Sequence, residues 1–419
     1  MPMKGPTRRE WFWYKDSEKF LPTWRKRFRF LVTVAILMWV SGKIGHAFLF
    51  EPFSAWYHDI QLRRMPREQE RYTRIVRIDA ADHRLIFGGR SPLFGDKIVQ
   101  AVCAVASRGP RAVVVDLDTS SELDFPEGLA LPQWPVPVIW AADADSLGSS
   151  QVKRGADPIL GGRLEPHPLY GVAKMPADFD DVVRRWSRWE QIGGYARPTL
   201  AWAAVTAFCG DKNHESQAHC PDPRETGGDS EGPEAAAFAY DLTFLPIGVS
   251  EFLERDDTGG ANPRGFPASC PAGAADDRLK GRIAILGGSF SRTDEHDTPW
   301  GKHQGAELVA MAIEQALRPR DGIELGEYSL FVVELAIAFL IGAIHHWIRP
   351  IPATVITLVL LPLSVMAAAE CTLYFAGLQV GIVPFVVGML IHQLAGSAER
   401  AEEMVRRLEE AEEGEPVAN

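Results

Sequence analysis

At 419 residues the chain is long enough for two or three domains, and a formal charge of −11 with a pI near 5.5 argues against nucleic acid as its main partner, since polyphosphate recognition needs a concentrated basic surface. Five cysteines over that length are neither a disulfide scaffold nor a structural zinc pattern. The mean hydropathy of −0.09 averages two unlike parts: long uncharged runs near both ends, and a polar middle rich in Gly and Pro.

Residues 1–29 carry Lys4, Arg8, Arg9, Lys15, Lys19, Arg25, Lys26, Arg27 and Arg29 against Glu10, Asp16 and Glu18. An apolar stretch from Phe28 to Phe50 follows, and residues 30–50 are read as a transmembrane helix, because roughly 20 residues span about 30 Å of hydrocarbon. Lys43 can snorkel to one face, and Ser41-Gly42 makes a poor cleavage site, so an uncleaved anchor is expected rather than a signal peptide. The basic flank places the N-terminus in the cytoplasm, with membrane lipid as a partner.

Residues 51–326 read as an α/β domain with a mostly parallel or mixed sheet. Thr73 to Asp79 is the first expected strand, and a helix is expected from about Gly95 to Ser107, stopped by Arg108-Gly109-Pro110. Arg111 to Asp118 is a near-continuous apolar strand. Val136 to Trp140 is a third, assigned to the sheet edge because of Pro137. A surface insertion is expected over about 210–277, where apolar periodicity is low. Gly281 to Gly288 then forms a strand, Ser289 to Pro299 a loop, and Gly305 to Leu317 a helix.

Residues 327–395 hold three further expected spans, at about 328–348, 353–374 and 378–394, separated by Arg349 to Pro352 and by Gly377. Four crossings in all leave both termini cytoplasmic and residues 51–326 extracytoplasmic, in the inner membrane of a bacterium. Glu334 and Glu370 fall inside apolar spans, where a carboxylate bonds to a neighbouring helix, lies near an interface, or serves as a coupling or proton-sensitive site. Residues 396–419 form a short acidic tail in which Ala401, Met404 or Val405, and Leu408 make a narrow apolar stripe, read either as a solvated helical end or as a surface for a homodimer.

Two groups of polar residues invite chemistry. Asp116 and Asp118 repeat at the two-residue period of an extended chain, and with Asp79 they have the oxygen ligands a divalent cation needs; helix capping or loop contacts are the plainer reading. Asp294, Glu295, His296 and Asp297 form the second group, suited to metal binding, to pH sensing through His296, or to holding a loop rigid. Gly287-Gly288 lacks the context of a nucleotide fingerprint. No catalytic residue, metal or cofactor is assigned. Cys209, Cys220 and Cys270 lie in the expected oxidising compartment and can supply one disulfide, whereas Cys103 reads as a buried helix residue and Cys371 as membrane packing.

Taken in order, Val76 to Ile86, Arg108 to Asp118, Gly281 to Gly301 and Gly305 to Leu317 resemble the CHASE2 family of extracytoplasmic sensor domains, as does the arrangement of one span, a domain and three spans. The resemblance covers about Leu31 to Leu394. Since it includes Asp297-Thr298-Pro299, Thr298 and Pro299 are read with Gly287 and Gly288 as architecture, and Asp79, Asp116, Asp118, Asp294, His296 and Asp297 as ligand-pocket candidates. The resemblance implies a non-enzymatic signalling or accessory protein working through a separate signalling or envelope partner, because the usual cytoplasmic output module has no counterpart here. A structural envelope scaffold is the alternative, and an extracytoplasmic metal-dependent enzyme the remote one.

Overall fold

In the computed structural model the described residues are 51–64, 67–119, 131–142, 169–192, 195–210, 220, 235–238, 241–253, 269–270, 273–290 and 294–318, with scattered positions from 332 to 405. The chain divides into two compact units, one formed by Met1–Gln61 with Ile323–Asn419 and the other by Leu62–Gly322. Of the first unit, helix α1 (Glu51–Arg63) is described up to the boundary, together with a π-helical turn at Ile356–Leu360. No helix among the described residues is long and apolar enough to cross a membrane. The expected spans at 30–50 and 378–394, with Glu334 and Glu370, lie outside the described residues, and the other two spans are described only in part.

The second unit is built on a sheet of six parallel strands. Its members are β2 (Thr73–Ile78), β3 (Ala112–Asp116), β4 (Val138–Ala142), β5 (Leu169–Val172), β11 (Ile247–Gly248) and β12 (Ile283–Gly288), in the order β11-β2-β12-β3-β4-β5. Apolar residues occupy both faces of the central strands, as a sheet covered on both sides requires. Val76, Ile78, Val113, Val115 and Leu286 pack on one face with helix α3 (Gly95–Ala106) through Ile98, Val102 and Val105. Ile75, Val114, Ile139, Ile283 and Ile285 pack on the other, under helices α4 (Leu200–Cys209) and α5 (Gly305–Ala316). Between β2 and α3 lies a short helix, α2 (Ala80–Leu85). Small hairpins and ribbons surround this frame: β1 (Arg67–Gln69) with β10 (Asp241–Thr243), β6 (Arg185–Ser187) with β9 (Ala235–Ala237), β7 (Trp189–Ile192) with β8 (Tyr195–Pro198), and β13 (Glu295–Thr298) with β14 (Gly301–Gln304).

Several sequence expectations change. Pro137 does not mark an edge: β4 lies between β3 and β5, and the ladder starts one residue later, with the Pro137 carbonyl accepting from Val113 N at 2.9 Å. The missing N–H thus falls just outside the strand, where it costs nothing. The supposed insertion at 210–277 supplies β10, β11 and the short helical turn Val249–Glu251, and it buries Phe238, Leu242, Ile247, Val249 and Phe252. Its short strands carry too few residues to show a period.

Cys103 does not stand alone on its helix: it is joined to Cys270, 167 residues away, with the two Cα atoms 5.1 Å apart. Cys209 is joined to Cys220, Cα to Cα 5.7 Å. Helical burial and disulfide bonding look alike in sequence, because both place a cysteine on an apolar face. Cys371 is free and exposed.

Candidate functional site

Parallel strands bring all their carboxyl ends to one edge of the sheet, the usual location of ligands in open α/β folds. Arg77, Gly287 and Asp116 are in register across β2, β12 and β3, so the three stand in one row at that edge. The row continues the inward positions Ile75, Ile285 and Val114, which face α5. Asp116 therefore ends an apolar column, a half-buried residue at the edge of the sheet.

The first turn of α5 presses onto this row. A methyl group added to Gly287 would come within 2.4 Å of the Ala306 Cβ, and one added to Gly305 within 2.5 Å of an Asp294 oxygen. Glycine at these two places permits the close approach. Asp294 Oδ2 accepts from the Gly305 amide at 3.1 Å, near the positive end of the helix dipole, and Asp294 Oδ1 lies 3.7 Å from His296 Nε2. Gln304 caps the same helix together with Glu307, which also pairs with His303 Nδ1 at 2.9 Å.

Asp294 to Asp297 is thus not a loop throughout. Glu295–Thr298 forms β13 and pairs with β14, which sets His296 opposite His303 and Asp297 opposite Lys302. The hairpin is tied down at its turn: Thr298 Oγ1 donates to Gly301 O at 2.7 Å and accepts from Trp300 N. Trp300 Nε1 donates to Leu62 O at 2.9 Å, and Arg63 Nε to Pro299 O at 2.7 Å. These contacts hold Thr298 and Pro299 in the turn of the hairpin. Asp297 is different: its backbone carbonyl accepts from Val183 N, while its side chain is exposed and pairs with Lys302.

Electrostatics single out Asp116. Burial pushes its carboxyl up to about 7, the Asp294 carboxylate adds to the rise, and His296 opposes it. His296 is raised, chiefly by the Asp294 carboxylate beside it, with burial opposing and the Asp116 carboxylate adding charge stabilisation. Burial works to raise Glu307, but the hydrogen bond and charge of His303, the Gln304 amide and Arg77 outweigh it and hold that carboxyl low.

Of the residues proposed from sequence, Asp116, Asp294 and His296 come together. Asp79 does not join them. It is the N-cap of α2, accepting from Ala81 N at 2.7 Å and Asp82 N at 2.8 Å. β12 runs between β2 and β3, a gap of about 10 Å at ordinary strand spacing. Asp118 lies beyond the end of β3 and is exposed, so the two-residue repeat that paired it with Asp116 no longer holds. Among the described residues no three His, Cys, Asp or Glu side chains are grouped to hold a metal ion. Gly288 ends β12 under the ring of Phe290, which stacks on His83 with centroids 4.1 Å apart.

Sequence reasoning missed the far end of α5. Glu314 is fully buried, and its Oε1 accepts from Arg71 N, Tyr72 N and Thr73 N at 2.7, 2.6 and 2.8 Å and from Thr73 Oγ1 at 2.9 Å. Its Oε2 accepts from Arg318 Nη2 at 3.0 Å, while Arg318 also pairs with Glu68 and donates to Gln69 O. A lone carboxylate in the run Ala-Met-Ala-Ile-Glu-Gln-Ala was the available signal, of the same kind that drew notice to Glu334 and Glu370. An open cavity of about 510 Å³, lined by Leu131, Trp134, Val136, Trp140 and Leu169, lies beside β4 and includes none of the charged groups above.

A family model described as CHASE2 domain matches residues 30–344. CHASE2 domains are extracytoplasmic sensor domains, sensory rather than catalytic. No curated protein and no solved structure matches the chain.

Proposed function

The chain belongs to the CHASE2 domain family, and from that premise we propose that it is a non-enzymatic membrane signalling or accessory protein, anchored by four transmembrane helices, whose unit Leu62–Gly322 senses an extracytoplasmic stimulus at the carboxyl edge of its sheet. The response passes to a separate protein partner. The observation that carries this reading is the meeting of Asp116, Asp294 and His296 at the first turn of α5. The last turn of that helix is fastened by Glu314 to the start of β2, so a change at one end of the rod is felt at the other. The disulfides Cys103–Cys270 and Cys209–Cys220 support an oxidising compartment for the unit.

The test is cross-linking in intact cells from a reporter residue on the β13–β14 hairpin and another in the tail 396–419, followed by identification of the captured proteins. Sensing predicts a partner whose yield changes when Asp116 or His296 is substituted. A partner captured equally by wild type and variants supports a fixed envelope scaffold and defeats the sensory reading. Protease added to spheroplasts should cut within residues 62–322 and spare tags at both termini; the opposite pattern would invert the proposed topology.

A further inference from the structure

The sensory reading leaves the stimulus unnamed, and the carboxyl edge points to one. Asp294 does two jobs there: one oxygen caps the Gly305 amide, and the other faces the His296 imidazole at 3.7 Å. Asp116 approaches the same helix terminus from the sheet, in register with Gly287, over which Ala306 sits. Two carboxyls and one imidazole thus share a site closed on the sheet side, because Ala306 packs on Gly287 and Asp294 on Gly305 with no space for a side chain at either glycine.

Resting on the sensory assignment, we propose that Asp116, Asp294 and His296 form a proton-operated latch that holds the β13–β14 hairpin and the first turn of α5 against the end of β3 when protonated and loosens when it loses protons. With Asp116 neutral and His296 charged, the site holds one carboxylate and one cation. With both deprotonated it holds two carboxylates and, among the described residues, no cation, and like charges repel across a partly dry gap. Asp116 is held up to about 7 and loses its proton as pH rises through neutrality, while His296 is held above its usual value and keeps its proton to higher pH than a free imidazole.

Among the described residues, the other charged groups on the surrounding elements are engaged elsewhere or exposed. On the hairpin, Asp297 pairs with Lys302 and Glu295 accepts from Gln304. His303 is paired with Glu307 of α5, on which Arg77 of β2 also acts. Asp79 and Asp82 serve the capping box of α2, and His83 contacts the Arg90 carbonyl. Asp118 is exposed past β3, and Arg184, beside the hairpin's contact with Val183, is held by Asp178 and Asp180.

Hydrogen exchange of the full-length protein in lipid vesicles tests the latch, with amide protection of residues 294–306 followed from about pH 5 to about pH 8 after correction for intrinsic exchange. The latch predicts that protection in wild type falls about tenfold or more across that range, while α3 and β4 change little. Asp116→Asn, an uncharged near-isostere, should keep most of the protection at the alkaline end, and His296→Gln should shift the transition. Unchanged wild-type protection, or an Asp116→Asn protein with the wild-type response, would overturn the proposal, and the wild-type curve alone suffices if a variant fails to fold. A hairpin that responds to pH while partner capture does not would leave the latch standing and remove the sensory role.

Discussion

The two ends of α5 are built from the same materials and behave as opposites. At its last turn, Glu314 is buried and meets three backbone amides, one hydroxyl and a guanidinium, so its charge is matched on every side. At its first turn, Asp116 is pushed towards neutrality by burial and by a neighbouring carboxylate, with a single imidazole in opposition. A charge that is fully matched fixes structure, and one that is matched only in one protonation state makes structure conditional. The helix thus has an anchored end and a responsive end.

Removing the anchor should have the largest effect. Glu314→Ala leaves three amides without their acceptor and Arg318 with only Glu68 and the Gln69 carbonyl, and should lower unfolding stability by about 3–5 kcal/mol in urea titration of the detergent-solubilised protein. A loss below about 1 kcal/mol would mean that water satisfies those groups and that the contrast between the ends is false. Replacing Cys103 and Cys270 together by serine comes next, at about 2–4 kcal/mol, since that disulfide restrains a long loop in the unfolded chain. Reductant should then destabilise wild type more than the double variant, which keeps only Cys209–Cys220 to be reduced.

Gly287→Val sharpens the comparison at the responsive end. Its side chain would collide with Ala306, and a cost of about 1–3 kcal/mol should appear with loss of protection in the first turn of α5 and not in the last. Asp79→Ala should cost least, about 1 kcal/mol, because it removes only the cap of α2. A much larger loss, or any change in the pH response, would return Asp79 to the site from which β12 separates it.

Much of this frame was legible beforehand, and the reasons are physical. Thr73–Ile78, Gly95–Ala106, Ile283–Gly288 and Gly305–Ala316 carry strong apolar periods or continuous aliphatic runs, and each lies within about a residue or two of its expected bounds. Asp294 and His296 stood out because charge density is visible in one dimension. What stayed hidden depends on partners distant in the chain. Cys103 finds Cys270, Glu314 finds Arg71 to Thr73, and β11 joins the sheet as two residues from a stretch that looks polar. Asp118 was misplaced because a two-residue repeat holds only while the strand continues, and the strand ends at Asp116.

The central claim is that ionisation of Asp116 opposes the folded arrangement. Its value in the fold lies above the ordinary carboxyl value, so the folded chain binds more protons than the unfolded chain between about pH 4 and about pH 7, and stability must fall as pH rises through that window. Unfolding of wild type and Asp116→Asn should therefore be compared across it. The difference should grow in favour of the asparagine variant as pH rises towards about 7 and then level off. A difference that stays constant throughout would show that the carboxyl ionises without consequence, and the responsive end of the helix would have no proton to respond to.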